Sequence, residues 1–198
     1  MASSREQLKQ ATRSRVLEVA DQLFQERGFA GTTVRDIAEG AGVSAGTVMA
    51  VGDKNALLVS VFDAMIAAEH DRRARSTPET TGPVADTCVD RVEDLVRPFV
   101  LLFTGRHELA RTYASILMSG RHSSSLFTRL ADQLIEELAA AITMRECTSI
   151  AAATGTAQAL YAAYVGTLVT WAALGSDDPT ALTRQLRTTF AAICTCKE

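Results

Sequence analysis

Apolar side chains recur in this chain three and four residues apart, in segment after segment, from near its start to near its end. That spacing puts them on one face of an α-helix. No convincing alternating pattern of the strand type interrupts it. The expected fold is therefore all-α, with about nine helices burying their faces against each other. Val16, Leu17, Ala20, Leu23 and Phe24 form the first face, and Gly28 follows as a left-handed stop. Thr33 starts a second helix, with Asp36 three residues on as a capping-box partner. Gly42 ends it and Ser44 caps the third. Asp53 caps a fourth, which runs through Leu57, Leu58, Val61, Phe62 and Met65.

After a loop from Ser76 to Pro83, Val89, Val92, Val96, Phe99 and Phe103 make a fifth face, expected to bend or break at Pro98. Leu109, Tyr113, Ile116 and Leu117 give a sixth. Leu126, Leu130, Leu134 and Leu138 give a seventh. The eighth covers Ile150 to Leu174 and stops at Gly175. The ninth is capped by Asp178, has Pro179 in its first turn, and carries Leu182, Leu186, Phe190 and Ile193.

Composition narrows the function classes. The net charge is −3, so no overall basic balance draws this chain to nucleic acid. Any such affinity must be local, and residues 1–17 do carry Arg5, Lys9, Arg13 and Arg15 against Glu6 alone. The first fifteen residues lack the apolar core of a secretory signal, which points to the cytoplasm. In that compartment the four cysteines, Cys88, Cys147, Cys194 and Cys196, are not expected to form a disulfide framework. Cys194 and Cys196 lack the spacing of a usual zinc site. No P-loop, HExxH, dinucleotide fingerprint or CxxC pair is present, so neither catalysis nor a cofactor or metal is expected. The stretch between Glu146 and Asp177 has no charge, but threonine, glycine and glutamine dilute it. It reads as a helix buried on several sides within a helical dimer rather than as a membrane span.

The informative stretch is residues 32–48. Ala38 is small where two short helices must cross, and Gly42 can take the positive φ of the turn between them. Val34, Ile37, Val43 and Val48 close a small core. The third helix is short enough to lie across a DNA major groove.

At these residues the chain resembles the TetR family of bacterial regulators. The likeness runs over residues 13–62: the first-helix pattern of Val16, Leu17, Ala20, Leu23 and Phe24, then Gly28, Thr32-Thr33-Val34, Asp36-Ile37-Ala38, Ala41-Gly42-Val43-Ser44, Gly46-Thr47, and Lys54 before Leu57-Leu58. The resemblance implies an N-terminal three-helix helix-turn-helix domain, residues 1–53. It also implies a larger C-terminal helical domain for ligand binding and dimerisation, residues 54–198. Thr32 and Thr33 would hold phosphates at the start of the second helix. Arg35 would reach a phosphate or base edge. Ser44, Ala45, Gly46, Thr47 and Met49 would face the groove, and Lys54 would contact the DNA backbone.

The run Val48-Met49-Ala50-Val51-Gly52-Asp53-Lys54 departs from the family pattern. Met49 stands where tyrosine is usual. The following histidine and phenylalanine positions collapse to Val51, and the connection is one residue shorter. Weaker phosphate anchoring follows, with apolar contacts such as those to thymine methyls in place of hydrogen bonds.

The resemblance also implies a homodimer, a double-stranded DNA operator and a small-molecule effector. Phe99, Phe103, Tyr113, Leu117, Phe127, Tyr161, Tyr164 and Trp171 are the candidate ligand residues, and their character points to an apolar or aromatic ligand. His107 and His122 are expected in loops or at the surface. The expected function is a repressor released by its ligand. The competing reading is a helical dimer of the same fold that has lost operator binding and acts only through ligand or protein partners.

Overall fold

A computed structural model describes residues 4–75, 87–125, 128–144, 148–175 and 178–194. Among the described residues there are nine α-helices and no strand. They are α1 (Ser4–Arg27), α2 (Val34–Ala41), α3 (Ala45–Val51), α4 (Lys54–Arg75), α5 (Cys88–Thr104), α6 (His107–Met118), α7 (Arg129–Thr143), α8 (Ile150–Leu174) and α9 (Pro179–Ile193). The loop expected from Ser76 to Pro83 lies outside the described residues, as does Leu126.

Most helix ends are made by the residues that signal them. Gly28, Gly42 and Gly175 all adopt left-handed backbone angles, which a β-carbon would strain. The side chains of Thr33, Ser44 and Asp178 each accept a hydrogen bond from a backbone N–H of the first turn they precede. Asp53 does the same for the Ala56 N–H at 2.8 Å. Of the two alternatives expected at Pro98, the break is excluded. Helix α5 continues through Pro98 without a break. Proline removes the hydrogen bond to the carbonyl of Asp94, but Asp94 is exposed and water can take that place. Buried Val96, Phe99, Val100 and Phe103 hold the turns on both sides.

The chain divides into two units. The first holds α1, α2, α3, α4 as far as Met65, and Glu108–Ser124 with most of α6. Its core includes Val16, Ala20, Phe24, Ile37, Val48, Leu57, Leu58 and Phe62, each almost fully buried. Tyr113 stacks on Phe62 with ring centres 4.5 Å apart. The Tyr113 and Ser124 hydroxyls lie 2.9 Å apart, and Ser124 donates to Asp63 at 2.5 Å.

The second unit holds α4 from Ile66, then α5, α7, α8 and α9. There α7 packs on α8 and α5, and α9 packs on α8 and α5. By length and composition α8 could cross a membrane. Its residues Ala153, Ala157, Leu160, Tyr161, Tyr164, Leu168, Trp171 and Ala172 are nevertheless buried within the unit, as in a core helix. Buried Cys88 and Cys194, 106 residues apart, bring their sulfurs to 3.3 Å at the start of α5 and the end of α9.

Candidate nucleic-acid interface

Helices α2 and α3 are short, eight and seven residues, and helices of that length do not hold alone. Their ends and one buried face hold them. At the start of α2, the Asp36 N–H donates to the Thr33 hydroxyl at 3.2 Å. In return the Thr33 N–H and hydroxyl donate to the Asp36 carboxylate at 2.8 and 2.7 Å. Those bonds from Thr33 hold the Asp36 carboxyl below its usual pKa. At the other end Gly42, at φ 66°, donates its N–H back to the last turn, and Val43 donates to Ala38 at 3.0 Å. Ile37, Ala38 and Ala41 of α2 and Val48 of α3 are buried, with Val34 and Val43 half-buried beside them.

The turn after α3 is unusually economical. Only Gly52 and Asp53 separate α3 from α4. A β-carbon on Gly52 would come within 2.9 Å of the Ala56 β-carbon, so glycine lets the shortened chain pass.

What remains outside is a consistent surface. Ala45, Gly46, Met49 and Ala50 are exposed on α3, Met49 to 53 %. Ser44 is exposed and Thr47 half-buried. The Thr47 N–H donates to the Ser44 hydroxyl at 3.1 Å, and the two hydroxyls lie 2.9 Å apart. Arg35 is exposed on α2 and makes no hydrogen bond or ion pair among the described residues. Arg15, also exposed, brings its guanidinium beside Gly42.

Two residues expected at this surface turn inward. Thr32 is fully buried, and its hydroxyl serves the carbonyls of Leu23 at 3.1 Å and Gly28 at 2.9 Å. It closes the end of α1 and has no side-chain donor to give a phosphate. The half-buried Lys54 ammonium donates to the carbonyls of Phe29 at 2.9 Å and Thr32 at 3.0 Å, and sits 4.2 Å from the centre of the Phe29 ring. It pins the start of α4 to the turn between α1 and α2. Thr33, Arg35, Ser44, Ala45, Gly46, Thr47 and Met49 stay together at the surface.

The candidate ligand residues are divided. Phe99, Phe103, Tyr161, Tyr164 and Trp171 are buried in the second unit, whereas Tyr113 and Leu117 are buried in the first. Phe127 lies outside the described residues. Burial, with the negative charge of Asp132, pushes the Tyr161 hydroxyl up to about 12. His107 is not a surface histidine: it packs against Trp171 edge-on, ring centres 4.8 Å apart. His122 lies 4.0 Å from Asp53. A cleft between α5 and α9, lined by Glu93, Val96, Arg97, Val100, Thr183, Leu186 and Phe190, contains none of the predicted ligand residues.

One partly buried charged cluster has no signal in the sequence. His70 is 2 % exposed, packs on Phe99, and lies 3.3 Å from Glu137. Arg73 lies 3.3 Å from the other Glu137 oxygen and donates to the Leu95 carbonyl. Burial pulls the Glu137 pKa up, but the His70 hydrogen bond and the Arg73 charge outweigh it, and the carboxyl sits below its usual value. His70 and Glu137 are 67 residues apart, so no spacing rule links them.

Comparison with known proteins meets this surface. Residues 16–50 match the family described as bacterial regulatory proteins, tetR family. The chain is similar to the HTH-type transcriptional regulator TtgR of Pseudomonas putida, and to the probable regulator ArpR of the same organism. Each is 38 % identical over 68 residues, 34 % of this chain and 32 % of the relative. The matched segment thus spans about a third of the length of these relatives. Over most of its length the fold is similar to Thermus thermophilus FadR, a TetR-family transcriptional repressor solved with lauroyl-CoA. There the TM-score is 0.63 and identity 21 %, over 91 % of this chain and 92 % of that one. A TetR-family protein of Mesorhizobium loti gives a TM-score of 0.56 at 15 % identity, over 93 % and 96 % of the two chains.

Proposed function

We propose, from the premise that this chain belongs to the TetR family of bacterial regulatory proteins, that it is a dimeric transcription regulator reading a specific duplex DNA sequence. In this reading residues 1–53 hold the DNA and residues 54–198 hold a small apolar ligand and the dimer interface. The observation that carries it is the outer face of α3. Ala45, Gly46, Met49 and Ala50 stand exposed on a helix fixed from behind by Val48 and α2. Seven residues make a rod of about 10 Å, which fits a major groove about 12 Å wide. Arg35 supplies the charge for a phosphate or base edge, and the first-turn N–H groups of α2 favour an anion.

The dimer reading is supported by α8. Its face opposite the core carries exposed Ala151, Gly155, Gln158, Ala162 and Gly166, without a charge. A β-carbon at Gly155 or Gly166 would meet nothing within 4 Å, so no described residue requires glycine there. A second copy packed closely on that face would. The ligand reading is supported by the buried aromatic set of the second unit and by the acyl ligand of the similarly folded Thermus repressor. Helix α4 is continuous from Lys54 to Arg75. A ligand that shifts its far end would move Lys54, and with it the turn between α1 and α2. The two reading heads would then fit the operator poorly, and repression would lift.

The second reading, a dimer that has lost operator binding, is favoured by one set of observations. Helix α3 has no charged residue, and Thr32 and Lys54 are committed to internal carbonyls. Selection of random duplex DNA by the purified protein separates the two. Enrichment of an inverted repeat, with half-sites about 34 Å or a multiple apart, is expected for wild type and, with weaker binding throughout, for Arg35→Ala. Enrichment of no sequence, by protein shown to be a folded dimer, would favour the second reading.

A further inference from the structure

We propose that α3 selects its target through thymine 5-methyl groups, with Met49 as the residue that discriminates. This rests on the DNA-binding reading above. The exposed residues of α3 are Ala45, Gly46, Met49 and Ala50, and none has a strong hydrogen-bonding side chain. Ser44 and Thr47, the polar residues at the start of the helix, are bonded to each other. Two hydroxyls so joined keep one proton between them for an outside acceptor, and it lies at the N-terminal end, away from Met49.

The major groove offers acceptors at purine N7, guanine O6 and thymine O4, amino donors on adenine and cytosine, and the thymine methyl. An apolar side chain gains only from the methyl. Set over a G·C pair, Met49 would strip water from O6 and N7, or from the cytosine amino group, and return no hydrogen bond. The same side chain thus attracts thymine and rejects G·C. The flexible thioether can follow the methyl without a strained rotamer. Gly46 fits this role. A β-carbon there would meet only the Ser44 oxygen, at an ordinary 3.7 Å. Its absence is not needed by the fold, and it lets the helix backbone approach the groove. Arg35 and Arg15 are both exposed, Arg15 beside Gly42 and Arg35 in the first turn of α2, and they bring positive charge to the flanking phosphates.

The test remakes the selected duplex with deoxyuridine at each thymine in turn, which removes only the methyl. Affinity is measured at fixed salt by fluorescence anisotropy. At one or two positions per half-site the loss should be about fourfold per methyl, and about fifteenfold when both half-sites lose it. For Met49→Ala protein the loss should vanish at one position per half-site, the one Met49 reads, and persist at any other sensitive thymine. An enriched sequence whose every thymine can become uracil without loss would overturn the proposal and leave the DNA-binding reading standing. Failure to enrich any sequence would overturn both.

Discussion

The ammonium of Lys54 meets two backbone carbonyls and the face of a phenylalanine before it meets any partner outside the chain. Hydrogen bonds from a charged donor are among the stronger ones, about 1.5–3 kcal/mol each in net worth, and the site is half-buried. Lys54→Ala is therefore expected to lower unfolding stability by about 2 kcal/mol, read as a shift in denaturation midpoint. Arg35 is exposed and has no hydrogen bond or ion pair among the described residues, so Arg35→Ala should stay within about 0.5 kcal/mol of wild type. A Lys54 variant as stable as wild type would contradict the inward role. Lys54 was legible in the sequence as a position of the signature, and Arg35 as a charge set between two of its blocks. The direction of the Lys54 side chain was not, because it depends on carbonyls 22 and 25 residues away. The inward turn of Thr32 is hidden for the same reason: adjacent threonines look alike in sequence, yet one faces the end of α1 and the other caps α2.

Helix α2 is read from its ends, and those ends were visible in advance. Thr33 with Asp36, and Gly42, are local chemistry, and local chemistry survives folding. The box also sets a pH dependence. Asp36 has a folded pKa below its ordinary 3.8, so its contribution to stability is complete above that value and is lost as pH falls through the lower folded pKa. Asp36→Asn should lack this component. Wild type and variant should then draw closer in stability as the pH is taken below 3.8. A gap that stays constant through that acid range would argue against the box. Helix α5 was less legible. Pro98 is a breaker by local rules, but the helix holds because four large side chains around it are buried, against neighbours far off in sequence such as His70 of α4 on Phe99. The His70, Arg73 and Glu137 cluster was hidden too, since helix packing alone brings it together.

For the chain as a whole, the order and type of the helices followed from periodicity, and the surface of α2 and α3 from the signature. A ligand site does not follow, because aromatic residues at helical spacing look the same whether they line a pocket or fill a core. The proposed dimer needs two reading heads on one duplex, held by α8 faces that glycine leaves open. The most direct measurement is a titration of the selected duplex over a salt series with wild type, Arg35→Ala and Gly166→Arg. Wild type should bind as two chains per duplex. Arg35→Ala should have a log–log salt slope shallower by about 1.8, or about 0.9 for each of two lost phosphate contacts. Gly166→Arg should fold, sediment as a monomer and bind the duplex weakly. A wild-type slope in the Arg35 variant, or one chain binding one half-site with no gain from a second, would contradict it.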